Sequence, residues 1–243
     1  LTRTFAEAEY GVVSILFTYA AILMIIFTYR METAFFRFGS KDGQLDRAFS
    51  TASISLICST AVLGILVWVG INPIASWLNF SDHPEYILTV MGIIAMDALV
   101  AIPYARLRLE NKPIWFATAK TLHILLNIFF IFLFLKILPG LHANGHEWTT
   151  WFYRPENRIG DLFLANFLSS GIILLVLFPA YRRIKWLFDP ALWRRMIRYA
   201  APLIIVGFAA VINQLIALPL LEQLLPGDLQ QNRAQTGIYS AAA

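Results

Sequence analysis

The chain has 243 residues, of which 58% are hydrophobic and only 14% are charged. Soluble domains carry about 25% charged residues, so this composition excludes a soluble globular protein. The formal charge of +4 does not indicate a nucleic-acid partner, because the Lys and Arg residues cluster beside hydrophobic segments, as they do around membrane spans.

Hydrophobic segments near the 20-residue length that crosses about 30 Å of hydrocarbon follow one another along the chain. They cover residues 10–36, 48–69, 86–105, 114–138, 161–180 and 200–221, and a seventh begins at Ile238. We therefore predict an all-α integral membrane protein, a multi-span helix bundle. Because Leu1 is not an initiator Met and the seventh run stops at once, we expect a fragment truncated at both ends.

The Lys and Arg residues are divided unequally between the two ends of these spans. Cytoplasmic loops are enriched in basic residues, and one set of alternate loops carries twelve of them while the other carries four. We therefore predict a multi-pass protein of the cytoplasmic membrane whose first span runs inward. The twelve are Arg37, Lys41, Arg47, Arg106, Arg108, Lys112, Arg182, Arg183, Lys185, Arg194, Arg195 and Arg198; the four are Arg3, Arg154, Arg158 and Arg233.

Two charged side chains lie deep in neighbouring spans. A charge at the bilayer centre costs about 2.5 to 3.5 kcal/mol on insertion scales, so it should face protein or water. Asp97 lies eight residues before the end of the third span and Lys120 lies seven residues past Pro113. At 1.5 Å per residue, both are about 10 to 12 Å deep. We predict a direct contact between Asp97 and Lys120.

Lys120, His123 and Asn127 share one helix face at i, i+3 and i+7. This polar stripe predicts a substrate or proton path. Alternatively, Lys120 extends to the headgroups while His123 and Asn127 bond neighbouring helices, which is the favoured interpretation for His123 alone.

Other polar residues near or within spans have two interpretations. Arg30, Glu32 and Arg37, at the inner end of the first span, suit anchoring at least as well as ligand binding. Asn213 in the sixth span is a further cavity candidate, although such amides more often join helices. Thr51, Ser55 and Ser59, at i+4 spacing, form a small-residue face that favours close packing.

Two connecting segments are distinctive. Asp189-Pro190 is a typical helix start, and the aromatic and basic residues around it predict a short interfacial helix within residues 182–198. The outer loop at residues 139–160 is long and rich in Trp, Tyr, His and Gly, and is long enough to cap an outward opening.

Several kinds of chemistry have no motif here. No Walker A sequence, dinucleotide-binding Gly-rich turn or nucleophile elbow is present, so we expect no enzyme activity. His142, His146 and Glu147 lack a distant further ligand, so we expect no metal. We expect no cofactor, and transport driven by substrate flux or by an H+ or Na+ gradient.

Three stretches resemble the polysaccharide-exporter branch of the multidrug/oligosaccharidyl-lipid/polysaccharide flippases, and the resemblance covers nearly the whole chain. Residues 9–11 (Glu-Tyr-Gly) enter a span that ends in Met-Glu-Thr-Ala-Phe-Phe-Arg-Phe at 31–38, similar to the family's second helix. Residues 106–113 (Arg-Leu-Arg-Leu-Glu-Asn-Lys-Pro), followed by Lys120 and Asn127, resemble a later loop and helix. Residues 199–203 and 237–242 resemble helix seven and the start of helix eight.

This resemblance implies two MATE-like lobes of six helices around a cavity that opens alternately to each side, with undecaprenyl-pyrophosphate-linked oligosaccharide as cargo. Residues 1–181 would be the first lobe without its first helix, 182–198 a basic cytoplasmic linker, and 199–243 the start of the second lobe. Membrane lipids, a polysaccharide polymerase and glycosyltransferases would be its neighbours. A cationic cavity suits a pyrophosphate, which points to Arg30, Arg37 and Lys120.

The chain departs from the family pattern at Arg30, where Gly is usual, and at Ala217-Leu218, where many members have Asp-Arg. Two other functions stay open. A multidrug cation antiporter of similar fold would use an acid such as Asp97, and a membrane enzyme acting on polyprenyl-linked sugars would need acids and His on the loop at 139–160.

Overall fold

Long apolar stretches with few interior helix breakers fold here into helices. The structure, a computed structural model, describes residues 7–41, 43–144, 158–182, 184–185, 187–215, 217–226 and 228–242. Within these ranges there are eleven α-helices and one π-helical turn, and no strand. The helices are α1 Glu7–Thr28, α2 Met31–Gly39, α3 Leu45–Val69, α4 Ile71–Trp77, α5 Pro84–Leu109, α6 Pro113–Phe132, α7 Leu138–Ala143, α8 Arg158–Tyr181, α9 Pro190–Leu215, α10 Ala217–Leu224 and α11 Leu229–Ala242, with the π-helical turn at Leu133–Ile137.

Six helical segments of the described chain are long and apolar enough to cross a membrane, which confirms the prediction of a multi-pass membrane protein. Their lipid-facing surfaces are rich in exposed large apolar side chains, such as Ile65 and Leu175. The segments are Glu9–Gly39, Leu45–Val69, Pro84–Leu109, Pro113–Ala143, Arg158–Tyr181 and Pro190–Asn213.

The chain divides into two compact units, Ile26–Ile204 and Leu1–Ile25 with Ile205–Ala243. In the second, smaller unit, Gly11 lies so close to the backbone of Arg233 that an added Cβ would overlap its carbonyl group. The Ser14 and Ser240 hydroxyls lie 3.0 Å apart in the same contact. The Gly at position 11 thus permits α1 and α11 to approach closely. The predicted boundaries at 181 and 198 stay predictions.

The larger unit has its main core where α2, α3, α5 and the start of α9 meet. The fully buried residues at its centre include Phe35, Phe49, Ile102 and Met196, and the rings of Phe35 and Phe49 meet edge to face with centroids 6.0 Å apart. Such aromatic pairs add about 0.5 to 1.5 kcal/mol beyond the area they bury. This core holds together the ends of the helices that carry most of the basic residues.

The first predicted span is not one continuous helix. Tyr29 and Arg30 have positive φ angles of 33° and 55°, and they separate α1 from α2. Arg30 therefore stands in a left-handed conformation, which Gly adopts without strain and other L-residues adopt at a cost of about 1 to 2 kcal/mol.

The predicted helix start at Asp189-Pro190 is present, but the helix that follows is longer than the predicted short one. It continues as α9 to Leu215, and Leu192, Met196 and Ala200 are buried in the main core at successive i+4 positions. One face of this segment therefore packs against protein. Trp186 lies outside the described residues.

Asp189 caps α9 and joins it to α3. Its Oδ1 accepts hydrogen bonds from the N–H groups of Ala191 and Leu192, both at 3.0 Å, and its Oδ2 lies 2.7 Å from Nε of Arg47. The bond from Leu192, aided by Arg47, outweighs burial and holds the pKa of Asp189 below its ordinary value. The cap therefore acts in the ionised form.

We expect Asp189→Ala to lower the free energy of unfolding by about 1 kcal/mol, because the first turn of α9 loses its cap. Asp189→Asn should lose less, since its side-chain oxygen still accepts. Because folding lowers the pKa of this carboxyl, its stabilisation is present above the ordinary value near pH 4 and is lost as the pH falls through the folded value. Thermal unfolding of the detergent-solubilised protein measures both effects. The pH range runs from about 3 to about 7 and so includes the ordinary pKa of an Asp carboxyl.

Asp82→Ala is the matched control, because Asp82 is exposed in a turn and precedes no helix directly. An equal loss of stability in the Asp82 and Asp189 variants would show that the cap contributes nothing specific.

Candidate functional site

Helices α5 and α8 pack closely against each other at two glycines of the larger unit, Gly92 and Gly171. A Cβ added to Gly92 would come within 2.6 Å of the Phe167 ring, and one added to Gly171 would lie 3.5 Å from the sulfur of Met96. Glycine lets helices approach closely in membranes, where dispersion contacts rather than the hydrophobic effect hold them together. Gly92 therefore makes room for the Phe167 ring between α5 and α8, whereas the contact at Gly171 is an ordinary one.

Polar side chains from α5, α6 and α8 form a continuous set that we call the polar track. It consists of Asp97 on α5, Lys120, His123 and Asn127 on α6, and Asn166, Ser169 and Ser170 on α8.

At the centre of the polar track, Ser170 lies between an acid and an imidazole. Its hydroxyl is 3.4 Å from Nε2 of His123 and also interacts with the carboxylate of Asp97. Ser170 is only 2% exposed, so this bridge is shielded from solvent. Sequence reasoning did not select Ser170, because nothing in the pattern of α8 shows which of its small residues faces α5 and α6.

The predicted direct contact between Asp97 and Lys120 is not formed, since no nitrogen–oxygen distance between them is 4.0 Å or less. The Lys120 ammonium instead lies 4.4 Å from the ring centroid of Tyr104, while Asp97 interacts electrostatically with both His123 and Lys120. A cation over an aromatic face gains about 0.5 to 2 kcal/mol, depending on its desolvation. The equal depth of Asp97 and Lys120 therefore predicted that these side chains lie near each other, but not which groups each of them contacts.

The carboxylate of Asp97 is incompletely satisfied. Its Oδ1 is buried without a hydrogen-bond partner in the structure. A buried acceptor without a partner costs about 1 to 3 kcal/mol, more if charged, so such groups call for a functional explanation. At this position an oxygen can accept a proton, a cation or a hydrogen bond from a ligand.

The outer part of the polar track joins α6 to α8 by amide hydrogen bonds. The Asn127 amide donates to Oδ1 of Asn166 at 2.6 Å and to the Ser169 hydroxyl at 3.3 Å. Asn166 in turn donates to the carbonyl of Leu162. These contacts match the helix-joining interpretation of Asn127, whereas its ligand role stays a prediction.

A second group of candidates lies at the ends of α2, α5 and α6. Arg30 and Glu32 are 4.0 Å apart, the Arg37 guanidinium lies 4.3 Å from the Tyr199 ring centroid, and Arg108 interacts electrostatically with Glu32. Glu32 Oε2 is buried without a hydrogen-bond partner. We call this set of helix ends, which carries Arg30, Arg37, Arg106, Arg108 and Lys112, the basic end.

Arg106 is the most enclosed charge at the basic end and was counted from sequence only as a loop residue. It is 7% exposed, donates to Asp46 at 2.7 Å and to Glu110 at 2.6 Å, and lies 4.3 Å from the Phe49 ring centroid. Burial alone would raise the pKa of Glu110, but the hydrogen bonds from Lys112 and Arg106 hold it below its ordinary value. The i, i+4 spacing of Arg106 and Glu110 was the available signal.

The remaining predictions fall away from the polar track. Asn213 is exposed on the part of α9 that belongs to the smaller unit. His146, Glu147 and most of the loop at 139–160 lie outside the described residues. Among the residues that are described, no group of three or more His, Cys, Asp or Glu side chains could hold a metal ion.

No family model, curated protein or solved structure matches this chain.

We expect a coupling energy of about 0.6 kcal/mol, and no more than about 1.7, between Asn127 and Asn166 in a double-mutant cycle. The Ala variants would each lose the same 2.6 Å hydrogen bond, so the double variant should lose less than the sum. Unfolding in mixed micelles with increasing SDS measures the four free energies.

Thr121→Ala combined with Asn166→Ala is the control cycle, because Thr121 is exposed on the same helix. Additive losses for Asn127 and Asn166 would contradict the hydrogen bond.

We expect Arg30→Gly to be more stable than Arg30→Ala by about 1 kcal/mol, because only Gly relieves the left-handed strain at this position. Both variants remove the same charge, so their difference isolates the backbone term. Thermal unfolding in detergent measures it, and equal melting temperatures would show that the left-handed conformation is absent.

Proposed function

We propose that this chain is part of a membrane transporter that flips undecaprenyl-pyrophosphate-linked oligosaccharide across the cytoplasmic membrane. The observation that carries the proposal is the polar track, a set of charged and amide side chains inside a bundle of apolar spans. The resemblance of residues 9–11, 31–38 and 106–113 to polysaccharide exporters supports the choice of cargo.

The polar track favours transport over a purely structural role. Polar and ionisable groups are rare within spans and typically mark substrate, ion or proton pathways. A structural network would be expected to satisfy its members, yet Asp97 Oδ1 has no partner and Lys120 is exposed with its ammonium over a ring. The arrangement therefore leaves both an acceptor and a cation available to a passing ligand.

The cationic candidates favour an anionic cargo. Arg37 and Lys120 are exposed, and Arg30 has 36% of its side chain exposed. Guanidinium and ammonium groups bind the oxygens of a pyrophosphate, while a polyprenyl tail can stay in the bilayer. H+ or Na+ coupling would be carried by the Asp97 region.

A multidrug cation antiporter is the second candidate, and Asp97 is the observation that favours it. A buried carboxylate oxygen without a partner would exchange a proton for a cationic drug, whereas the arginines at the basic end would repel that drug. Cargo charge thus separates the two functions.

We expect the full-length gene to restore surface polysaccharide to a bacterial strain that lacks its own flippase. Asp97→Asn or Lys120→Gln should lower the restored amount about tenfold, the factor that a binding difference of about 1.4 kcal/mol represents. Both variants alter the centre of the polar track. Antibody or lectin staining of surface polysaccharide, with immunoblotting for membrane expression, gives the measurement.

Lys136→Gln is the matched control, because Lys136 also lies in the fourth span with its ammonium 5.4 Å from an aromatic centroid, that of Phe132. It should restore polysaccharide fully. Failure of the wild-type gene despite normal expression would contradict the flippase, and drug resistance conferred by that gene would favour the antiporter.

A further inference from the structure

A groove runs between α6 and α8 at the basic end, with α5 as its floor. Its volume is about 550 Å³, within the range of about 300 to 1,000 Å³ typical of ligand pockets. Its walls are largely apolar, and Trp115 and Val176 beside it are 68% and 46% exposed. The apolar side chains along it are Pro103, Leu107, Trp115, Ala119, Leu122, Val176, Leu177, Pro179 and Ala180.

The rim of this groove at the basic end is charged. Arg106 and Lys112 line it together with Glu110, and Asp46, which is not part of the lining, also accepts from Arg106 at 2.7 Å. Glu110 accepts from both, at 2.6 Å from Arg106 Nε and 2.5 Å from Lys112 Nζ. One carboxylate thus holds two cations at the same edge.

Two further features at this rim favour an anion. Arg106 is 7% exposed, and its Nη1 has no hydrogen-bond partner in the structure. Helix α6 begins at the same edge, and Lys112, its N-cap, provides no side-chain cap to the first amides. Unpaired N–H groups at a helix N-terminus bind anions such as phosphate.

We propose that this groove binds one anionic phospholipid of the surrounding bilayer. The phosphate lies at the start of α6 beside Lys112 and Arg106, and one acyl chain follows the apolar wall past Ala119 and Leu122. The exposed Lys112 ammonium and the unpartnered Nη1 of Arg106 suit the anionic headgroup, and the exposed Trp115 suits the interfacial depth at which Trp side chains are enriched. The proposal is independent of the cargo and of transport itself.

The experiment measures lipid retention by the full-length protein in a mild non-ionic detergent, using native mass spectrometry. The probes are phosphatidylglycerol, phosphatidylcholine and glycerol phosphate. We expect one retained phosphatidylglycerol, about fivefold less retention in Lys112→Gln on the scale of one basic residue beside an anionic surface, and loss in Thr118→Trp, which fills the groove. Phosphatidylcholine and glycerol phosphate should bind much more weakly, because the first has no net negative charge and the second has no acyl chain.

The matched controls are Lys41→Gln and Thr121→Trp, at exposed positions that do not line the groove. Both should retain phosphatidylglycerol as the wild type does. Equal retention of the two phospholipids, binding of glycerol phosphate as tightly as phosphatidylglycerol, or equal effects of Thr118→Trp and Thr121→Trp would each overturn the proposal. Competition by polyprenyl phosphate at lower concentration than phosphatidylglycerol would also overturn it and assign the groove to cargo.

Discussion

The close approach of α5 and α8 is the constraint on which the polar track depends. Gly92 leaves room for the Phe167 ring between these helices, and on the same pair of helices Ser170 lies near the Asp97 carboxylate and beside His123. In water such a contact would contribute little, since solvent competes for each polar group. Within a bilayer, an unpaired group has no such alternative, and the spacing of two helices therefore decides whether an acid can be accommodated at all.

The number and type of the membrane segments could be predicted from sequence because hydropathy over about 20 residues reports directly on burial in lipid. The break at Arg30 could not, because apolar residues continue through it and hydropathy carries no information on φ. Similarly, the Asp189-Pro190 pair predicted where α9 begins but not how far it continues. The first turns of α9 are buried against residues such as Phe35 and Phe49, which are remote in sequence.

The candidate site shows the same division. Asp97 and Lys120 lie at similar depths on two adjacent spans joined by a short loop. Counting residues from that loop is enough to predict this. Which side chains Asp97 and Lys120 contact depends on the rotation of a third helix, α8, about its axis. No sequence pattern in α8 shows which of its faces points toward α5 and α6. Arg106 was missed for a different reason: as one of several arginines near a span end, it was explained by topology, although its pairing with Glu110 at i+4 distinguishes it.

The hydrogen bonds at the start of α9 have a consequence for the order in which the protein assembles. Thr51 receives a bond from the backbone of Asp189, which is 138 residues later in the chain. At about 5 to 20 residues per second, synthesis separates the two by on the order of ten seconds. During that interval the Ser and Thr hydroxyl groups of α3 have no partner in α9. They can instead donate a hydrogen bond to a carbonyl of their own helix. The residue types of α3 thus suit both an early, solitary state and the docked one.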